Sequence, residues 1–126
     1  MEREIIQTNK APKPVGPYSH AVKYGDLIFI SGQISANIET GEPIIQDIAG
    51  QTRAAMNIIK DILEDAGSSM DKVIKCTIHL SDEKYFDEMN EVYATFFKNG
   101  FPTRITVFGA KLYSGIDIEI DAIAGL

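Results

Sequence analysis

The chain has 126 residues, of which 44% are hydrophobic and 24% are charged. These values exclude a disordered or fibrous chain, and the length suits one hydrophobic core, which predicts a single domain over residues 1–126. The net charge of −6 and three widely spaced arginines argue against nucleic-acid binding, and no apolar run is long enough to span a membrane. We expect a cytoplasmic protein, because the N-terminus is acidic rather than basic and Cys76 is the only cysteine.

The first elements in the chain are a loop and a hairpin. Three prolines between residues 11 and 17 predict an ordered loop that delivers Tyr18 to a specific place. Runs of β-forming residues at 21–24 and 27–31 flank Gly25-Asp26, a pair suited to a two-residue turn. The pattern therefore predicts a β-hairpin.

The hairpin is followed by a turn and a helix. Gly32 is expected to end the second strand, and residues 37–43 to form a surface turn. Asp47 can cap a helix, and Gly67 suits the residue after its last turn. Apolar side chains recur between them at intervals of three and four, which predicts an amphipathic helix. They are Ile48, Thr52, Ala55, Ile59, Ile62, Leu63 and Ala66.

The second half of the chain alternates strand and helix. Residues 73–80 are rich in β-branched side chains and predict a strand. A second helix is predicted over residues 83–98, where an apolar stripe precedes Asn99-Gly100. Two strands are predicted last, at 104–108 and 116–123.

This order of elements predicts an α+β domain with two helices packed on one face of a mixed sheet. The length leaves no helix to cover the opposite face. Association with further copies of the chain is one way to cover it.

The last strand carries acids at every second position. Asp117, Glu119 and Asp121 alternate with isoleucines and are expected to share one face. Such a row is most simply a solvated outer face. Because like charges on one strand repel each other, a functional role would require a basic partner nearby.

Arg104 begins what we expect to be the neighbouring strand, on the same side as Thr106 and Phe108. A guanidinium binds a carboxylate well, because its planar fork makes two parallel hydrogen bonds. The alternative is an ordinary surface arginine paired with an acid such as Glu119. The residues around Arg104 do not decide between these interpretations.

No pattern predicts a metal site or a covalent nucleophile. His20 and His79 lack a spacing with acids or with Cys76 that would suggest zinc, so each is expected to be structural. Cys76 lies in an apolar strand and is expected to be a small buried hydrophobe. We expect neither a metal nor an organic cofactor.

Several segments together resemble the Rid (reactive intermediate deaminase, YjgF-like) family. They occur in the family's order along essentially the whole chain, with little room for insertions. The segments are Ile6-Gln7-Thr8 with Ala11-Pro12, Gly16-Pro17-Tyr18-Ser19, Ser31-Gly32-Gln33-Ile34, Glu39-Thr40-Gly41, Gln51-Thr52, Asn90-Glu91-Val92-Tyr93, Pro102-Thr103-Arg104 and Ile118-Glu119-Ile120.

The resemblance implies a chorismate-mutase-like α+β fold that assembles as a homotrimer with sites between subunits. It implies 2-iminobutanoate/2-iminopropanoate deaminase activity, which converts imines released by pyridoxal-phosphate enzymes to 2-keto acids and ammonia. By this resemblance Arg104 binds the substrate carboxylate and Glu119 positions the attacking water. Further residues are expected to line or support the substrate pocket: Tyr18, Ser31, Gly32, Asn90 and Thr106.

Three positions depart from the family's pattern. Ile105 stands where a small residue is usual, Thr106 where cysteine is frequent and Tyr113 where proline is frequent. Two other functions therefore stay open: a protein that captures small keto acids without turnover, and an endoribonuclease or translation inhibitor, as associated with some relatives. The net charge of −6 argues against the latter.

Overall fold

The computed structural model describes residues 1–126, and its centre is a six-stranded β-sheet. The strands are β1 Arg3–Ile6, β2 Ala21–Tyr24, β3 Leu27–Gln33, β4 Val73–Leu80, β5 Thr103–Val107 and β6 Ile118–Gly125. Their order is β1-β2-β3-β6-β4-β5, and only the pair β4 and β5 is parallel. The predicted α+β class with a mixed sheet is confirmed.

Two α-helices, α1 Ile48–Asp65 and α2 Phe86–Ala94, pack on one face of this sheet. As predicted, α1 is capped by Asp47, whose carboxylate accepts a hydrogen bond from the Gly50 N–H at 2.8 Å. Its apolar stripe packs against β3, β6 and α2. Neither helix is long and apolar enough to cross a lipid bilayer.

Alternate residues of β6 point to opposite faces of the sheet, as the sequence predicts. Its isoleucines at 118 and 120 and its alanines are buried beneath the helices, whereas Glu119 and Asp121 point to the opposite face. Asp117 differs from the prediction, because it precedes the strand and its carboxylate accepts hydrogen bonds from Ser81 and Gln51. Two acids, rather than three, therefore share the outer face of β6.

The strand β3 continues past Gly32, where the sequence predicted its end. Ile30 pairs with Ala122 and Gln33 pairs with Ile120, so three steps along β3 match two steps along β6. The extra residue forms a β-bulge at Ser31–Gly32. A bulge changes where side chains point, and here it returns Gln33 to the buried face.

Two further elements differ from the predictions. The edge strand β1 was not predicted, because its side chains are mostly exposed and show no alternation of apolar and polar residues. The α-helix of α2 is shorter than the predicted 83–98. A 3₁₀ turn precedes it, and beyond Ala94 the N–H groups of Phe96 and Phe97 bond three residues back, which tightens the end of the helix.

The strand β5 lies at the sheet edge beside β4. The expectation that it neighbours β6 was wrong. The connection from β4 to β5 runs through α2, and a helical crossover of this kind places two parallel strands side by side. β4 therefore separates Arg104 on β5 from Glu119 on β6.

The sheet face opposite the helices is uncovered in the single chain. Its apolar side chains remain exposed near both edges of the sheet, where a solvated face would carry polar residues. They include Ile5, Leu27, Phe29, Ile105 and Val107.

Candidate functional site

The guanidinium of Arg104 lies on the helix-covered side of the sheet, against two aromatic rings. Arg104 pairs across the strands with the buried Cys76, so both side chains emerge on the same face. The guanidinium carbon is 4.9 Å from the ring centroid of Tyr93 and 5.7 Å from that of Phe86. Both rings belong to α2 and hold the cation through the negative face of their π-systems.

No carboxylate pairs with Arg104. The two ion pairs of the chain are Lys10–Asp65 and Lys23–Glu4, and both are on the surface. The alternative raised by the sequence, in which Arg104 pairs with Glu119, is therefore not what the structure shows. A half-buried guanidinium held by aromatic rings keeps its N–H donors free for an anion.

A cavity of about 380 Å³ adjoins Arg104. It is lined by side chains of α2 and of the loop before β5, including Asn90, Tyr93 and Phe101. The Asn90 side-chain oxygen is buried and has no hydrogen-bond partner, and the buried Tyr93 hydroxyl has only the weakly bonding thiol of Cys76 beside it. Because a buried polar atom without a partner costs about 1–3 kcal/mol, groups of this kind are often found where a ligand binds.

Cys76 and Tyr93 form a neutral layer beneath Arg104. Burial raises the pKa of the Cys76 thiol and also raises the pKa of the Tyr93 hydroxyl. The thiolate is the reactive form of cysteine, so this thiol is a poor nucleophile near neutral pH. The prediction that Cys76 is a small buried hydrophobe is confirmed by its 1% exposure.

Glu119 lines a second cavity, of about 320 Å³. Its carboxylate lies against the backbone of Gly32 at the β3 bulge, where an added Cβ atom would come within 2.9 Å of the carboxyl carbon. A side chain at position 32 would therefore push the Glu119 carboxylate aside. The remaining walls include Tyr18, Ser31 and Tyr113.

Two hydrogen bonds hold the wall that carries Tyr18. The Ser31 hydroxyl donates to the Ser19 carbonyl at 2.6 Å, which ties the loop before β2 to the bulge. The Tyr18 hydroxyl accepts a hydrogen bond from the Val15 N–H at 3.4 Å and closes the loop on itself. The proline-rich segment is thus an ordered part of the Glu119 cavity.

The structure divides the predicted site residues into two groups on opposite faces of the sheet. Arg104 pairs with Cys76 on the covered face, whereas Glu119 pairs with His79 on the uncovered face. Thr106 lies on the covered face near Arg104 but outside both cavities. One group is Arg104 and Asn90, and the other is Glu119, Tyr18, Ser31 and Gly32.

Two residues of the site were missed from the sequence, the rings of Phe86 and Tyr93 that hold Arg104. Both belong to the apolar stripe of α2, which predicted only core packing. A possible signal was the connection itself, because a helix that leads into a parallel strand packs over that strand.

Residues 8–126 match a family described as Endoribonuclease L-PSP. A RutC family protein of Pyrococcus abyssi is 47% identical, with 98% of each chain covered. The human 2-iminobutanoate/2-iminopropanoate deaminase is 38% identical over 97% of this chain and 89% of its own length.

A crystal structure of a Rid family protein from Yersinia pestis has the same fold. It superposes with a TM-score of 0.94 at 37% identity and covers 99% of this chain and 100% of its own. The match to the family extends through both cavities and includes Arg104 and Glu119. The chain belongs to the Rid (YjgF-like) family.

Proposed function

We propose that this protein is a hydrolytic deaminase of small 2-imino acids such as 2-iminobutanoate and 2-iminopropanoate, acting as a homotrimer. The observation that carries the proposal is the guanidinium of Arg104, which is half-buried, held by two aromatic rings and free of any acidic partner. A structural arginine in such a place would be expected to have a carboxylate nearby. A substrate carboxylate would fill this role.

The reaction requires few groups, because an imine carbon is already electrophilic. Arg104 binds the carboxylate with two parallel hydrogen bonds and so fixes C2 of the substrate. Glu119 holds a water molecule and accepts its proton as the oxygen adds to C2. Glu119 passes this proton to the imine nitrogen, which gives a carbinolamine. The hydroxyl proton then moves to the nitrogen as the carbon–nitrogen bond breaks, so that ammonia leaves and the 2-keto acid is formed.

Arg104 and Glu119 cannot act on the same small substrate within one chain. They lie on opposite faces of the sheet, two strand spacings apart and offset by three residues along β4, which places their backbones about 14 Å apart. In these imines the carboxylate is attached directly to the reacting carbon. We therefore propose that each site takes Arg104 and Asn90 from one chain and Glu119 from a neighbour.

The uncovered sheet face supports this assembly. Its exposed apolar side chains, which include Phe29 and Ile105, would be buried between subunits. Glu119 points to the same face, so an interface there would bring its cavity against a neighbouring chain. Covering that face and completing the site are then the same event.

The name of the human relative supports the reaction, and a coupled assay tests it. Threonine dehydratase would generate the imine, and ammonia or keto acid release would be measured with and without the protein. The wild type should accelerate release, Arg104→Ala should abolish the acceleration, and Arg53→Ala, which removes an exposed arginine of α1, should retain it. Unchanged rates over a wide range of wild-type concentration would contradict the proposal.

Two further measurements test the other two functions. Calorimetric binding of 2-oxobutanoate without acceleration of imine hydrolysis would identify a protein that captures keto acids. RNA cleavage by the wild type that is lost in Arg104→Ala would support endoribonuclease activity, the activity in the description of the matched family. The net charge of −6 argues against this outcome.

A further inference from the structure

His20 is buried behind the loop that carries Tyr18, and four hydrogen bonds hold it. Its Nδ1 atom accepts from the Thr8 N–H at 3.1 Å, and its Nε2–H donates to the Pro12 carbonyl at 2.8 Å. Its backbone N–H donates to Gln7 at 3.3 Å, and its carbonyl accepts from the Ser31 N–H at 3.0 Å. A backbone N–H can only donate and a carbonyl oxygen can only accept, so Nδ1 is the acceptor of the ring and Nε2 is its donor.

These bonds attach one wall of the Glu119 cavity to the rest of the fold. The wall is the segment from Pro12 to Tyr18, which contains three prolines and therefore few N–H groups able to bond. Besides the His20–Pro12 bond, the Lys13 N–H donates to the Ile38 carbonyl at 3.0 Å. The imidazole is thus one of few anchors between this wall and the N-terminal segment.

We propose that His20 is a positioning residue: its imidazole bridges the Pro12–Tyr18 wall and the N-terminal segment at Thr8, and so holds the wall against the Glu119 cavity. The inference deepens the proposed function, on which its catalytic consequence rests. The two ring nitrogens have different tasks, because Nε2–H holds the Pro12 carbonyl while Nδ1 accepts from the Thr8 N–H.

Amide hydrogen exchange tests the bond directly and needs no substrate. In ¹⁵N-labelled protein the protection factor of the Thr8 amide should fall about tenfold in His20→Ala, because the bond that protects it is lost. His20→Asn, whose side-chain oxygen can take the place of Nδ1, should keep the protection. His79→Asn should behave like the wild type, because no bond links His79 to the loop.

The effect on the cavity is measured with 2-oxobutanoate, the keto acid product. Its affinity should fall about tenfold in His20→Ala and be largely restored in His20→Gln, whose longer side chain can place an N–H where Nε2–H was, with the Tyr18 amide resonance shifting in parallel. Thr8 protection that is unchanged in His20→Ala, or an equal loss of affinity in the alanine and glutamine variants, would overturn the proposal. If the wild type neither binds the keto acid nor accelerates hydrolysis, the proposed function fails, while the Thr8 and Tyr18 resonances still decide the role of His20.

Discussion

Mixed oligomers of two inactive variants should regain activity if each site combines two chains. Arg104→Ala removes two charge-assisted hydrogen bonds to the substrate, worth about 3–6 kcal/mol together, or roughly 100- to 10,000-fold in rate. Glu119→Gln removes the group that accepts a proton from water, which also costs roughly 100- to 10,000-fold. Each variant alone should therefore retain about 1% of wild-type activity or less.

The arrangement of the two groups predicts how much activity returns. In a cyclic trimer that contains both variants, one of the three interfaces joins the intact Arg104 of one chain to the intact Glu119 of the other. Mixed trimers should thus show about one third of wild-type activity, and a mixed dimer would show about one half. Any recovered activity would show that the site is shared between chains, and its fraction of the wild-type value would distinguish a trimer from a dimer.

The two variants would be produced together with different affinity tags and purified on both tags in turn. Native mass spectrometry would verify the composition, and the coupled dehydratase assay would measure the rate. If verified mixed oligomers are as inactive as their parents, the site does not combine two chains, and the reasoning from the two sheet faces is wrong. A mixture of the separately assembled variants, which have not exchanged chains, is the control.

Three further predictions concern the two halves of the site and the layer beneath them. Phe86→Leu removes one of the two aromatic rings beside Arg104, a loss of about 0.5–1 kcal/mol. It should raise KM about two- to fivefold in steady-state kinetics with little change in kcat, and Phe86→Tyr should have the KM of the wild type. Gly32→Ala should lower kcat at least tenfold, because the methyl group displaces Glu119, while calorimetric affinity for 2-oxobutanoate changes about twofold or less. The folded pKa of Cys76 lies above its usual value of 9.0, so its contribution to stability is complete below pH 9 and is lost as the pH rises toward the folded pKa. The free energy of unfolding from urea titrations should therefore fall above pH 9, and more steeply in the wild type than in Cys76→Ala.

Each of these has an outcome that would contradict it. An unchanged KM in Phe86→Leu would mean that the ring does not orient the guanidinium. A normal kcat in Gly32→Ala would show that Glu119 tolerates displacement. A lower melting temperature would show that the variant loses activity because its fold is destabilised. If the free energy of unfolding falls equally above pH 9 in the wild type and in Cys76→Ala, Cys76 is not a source of the pH dependence.

The sequence by itself determined the elements whose signals are local. The cap and apolar spacing of α1 and the alternation along β6 depend on residues a few positions apart, and the structure has both. The direction in which Glu119 projects followed from that alternation alone. The family followed from short segments found in order over nearly the whole chain.

Only the tertiary structure decided how these elements are arranged around the site. The position of β4 between β5 and β6 depends on which distant strands pair, and the bulge at Gly32 exists only relative to the partner strand. Strand pairing places Arg104 and Glu119 on opposite faces of the sheet. The two candidate catalytic residues of one chain therefore belong to two separate surfaces. Alternation within one strand determines which of its side chains share a face. Whether side chains of two different strands share a face depends on hydrogen bonds between residues far apart in sequence.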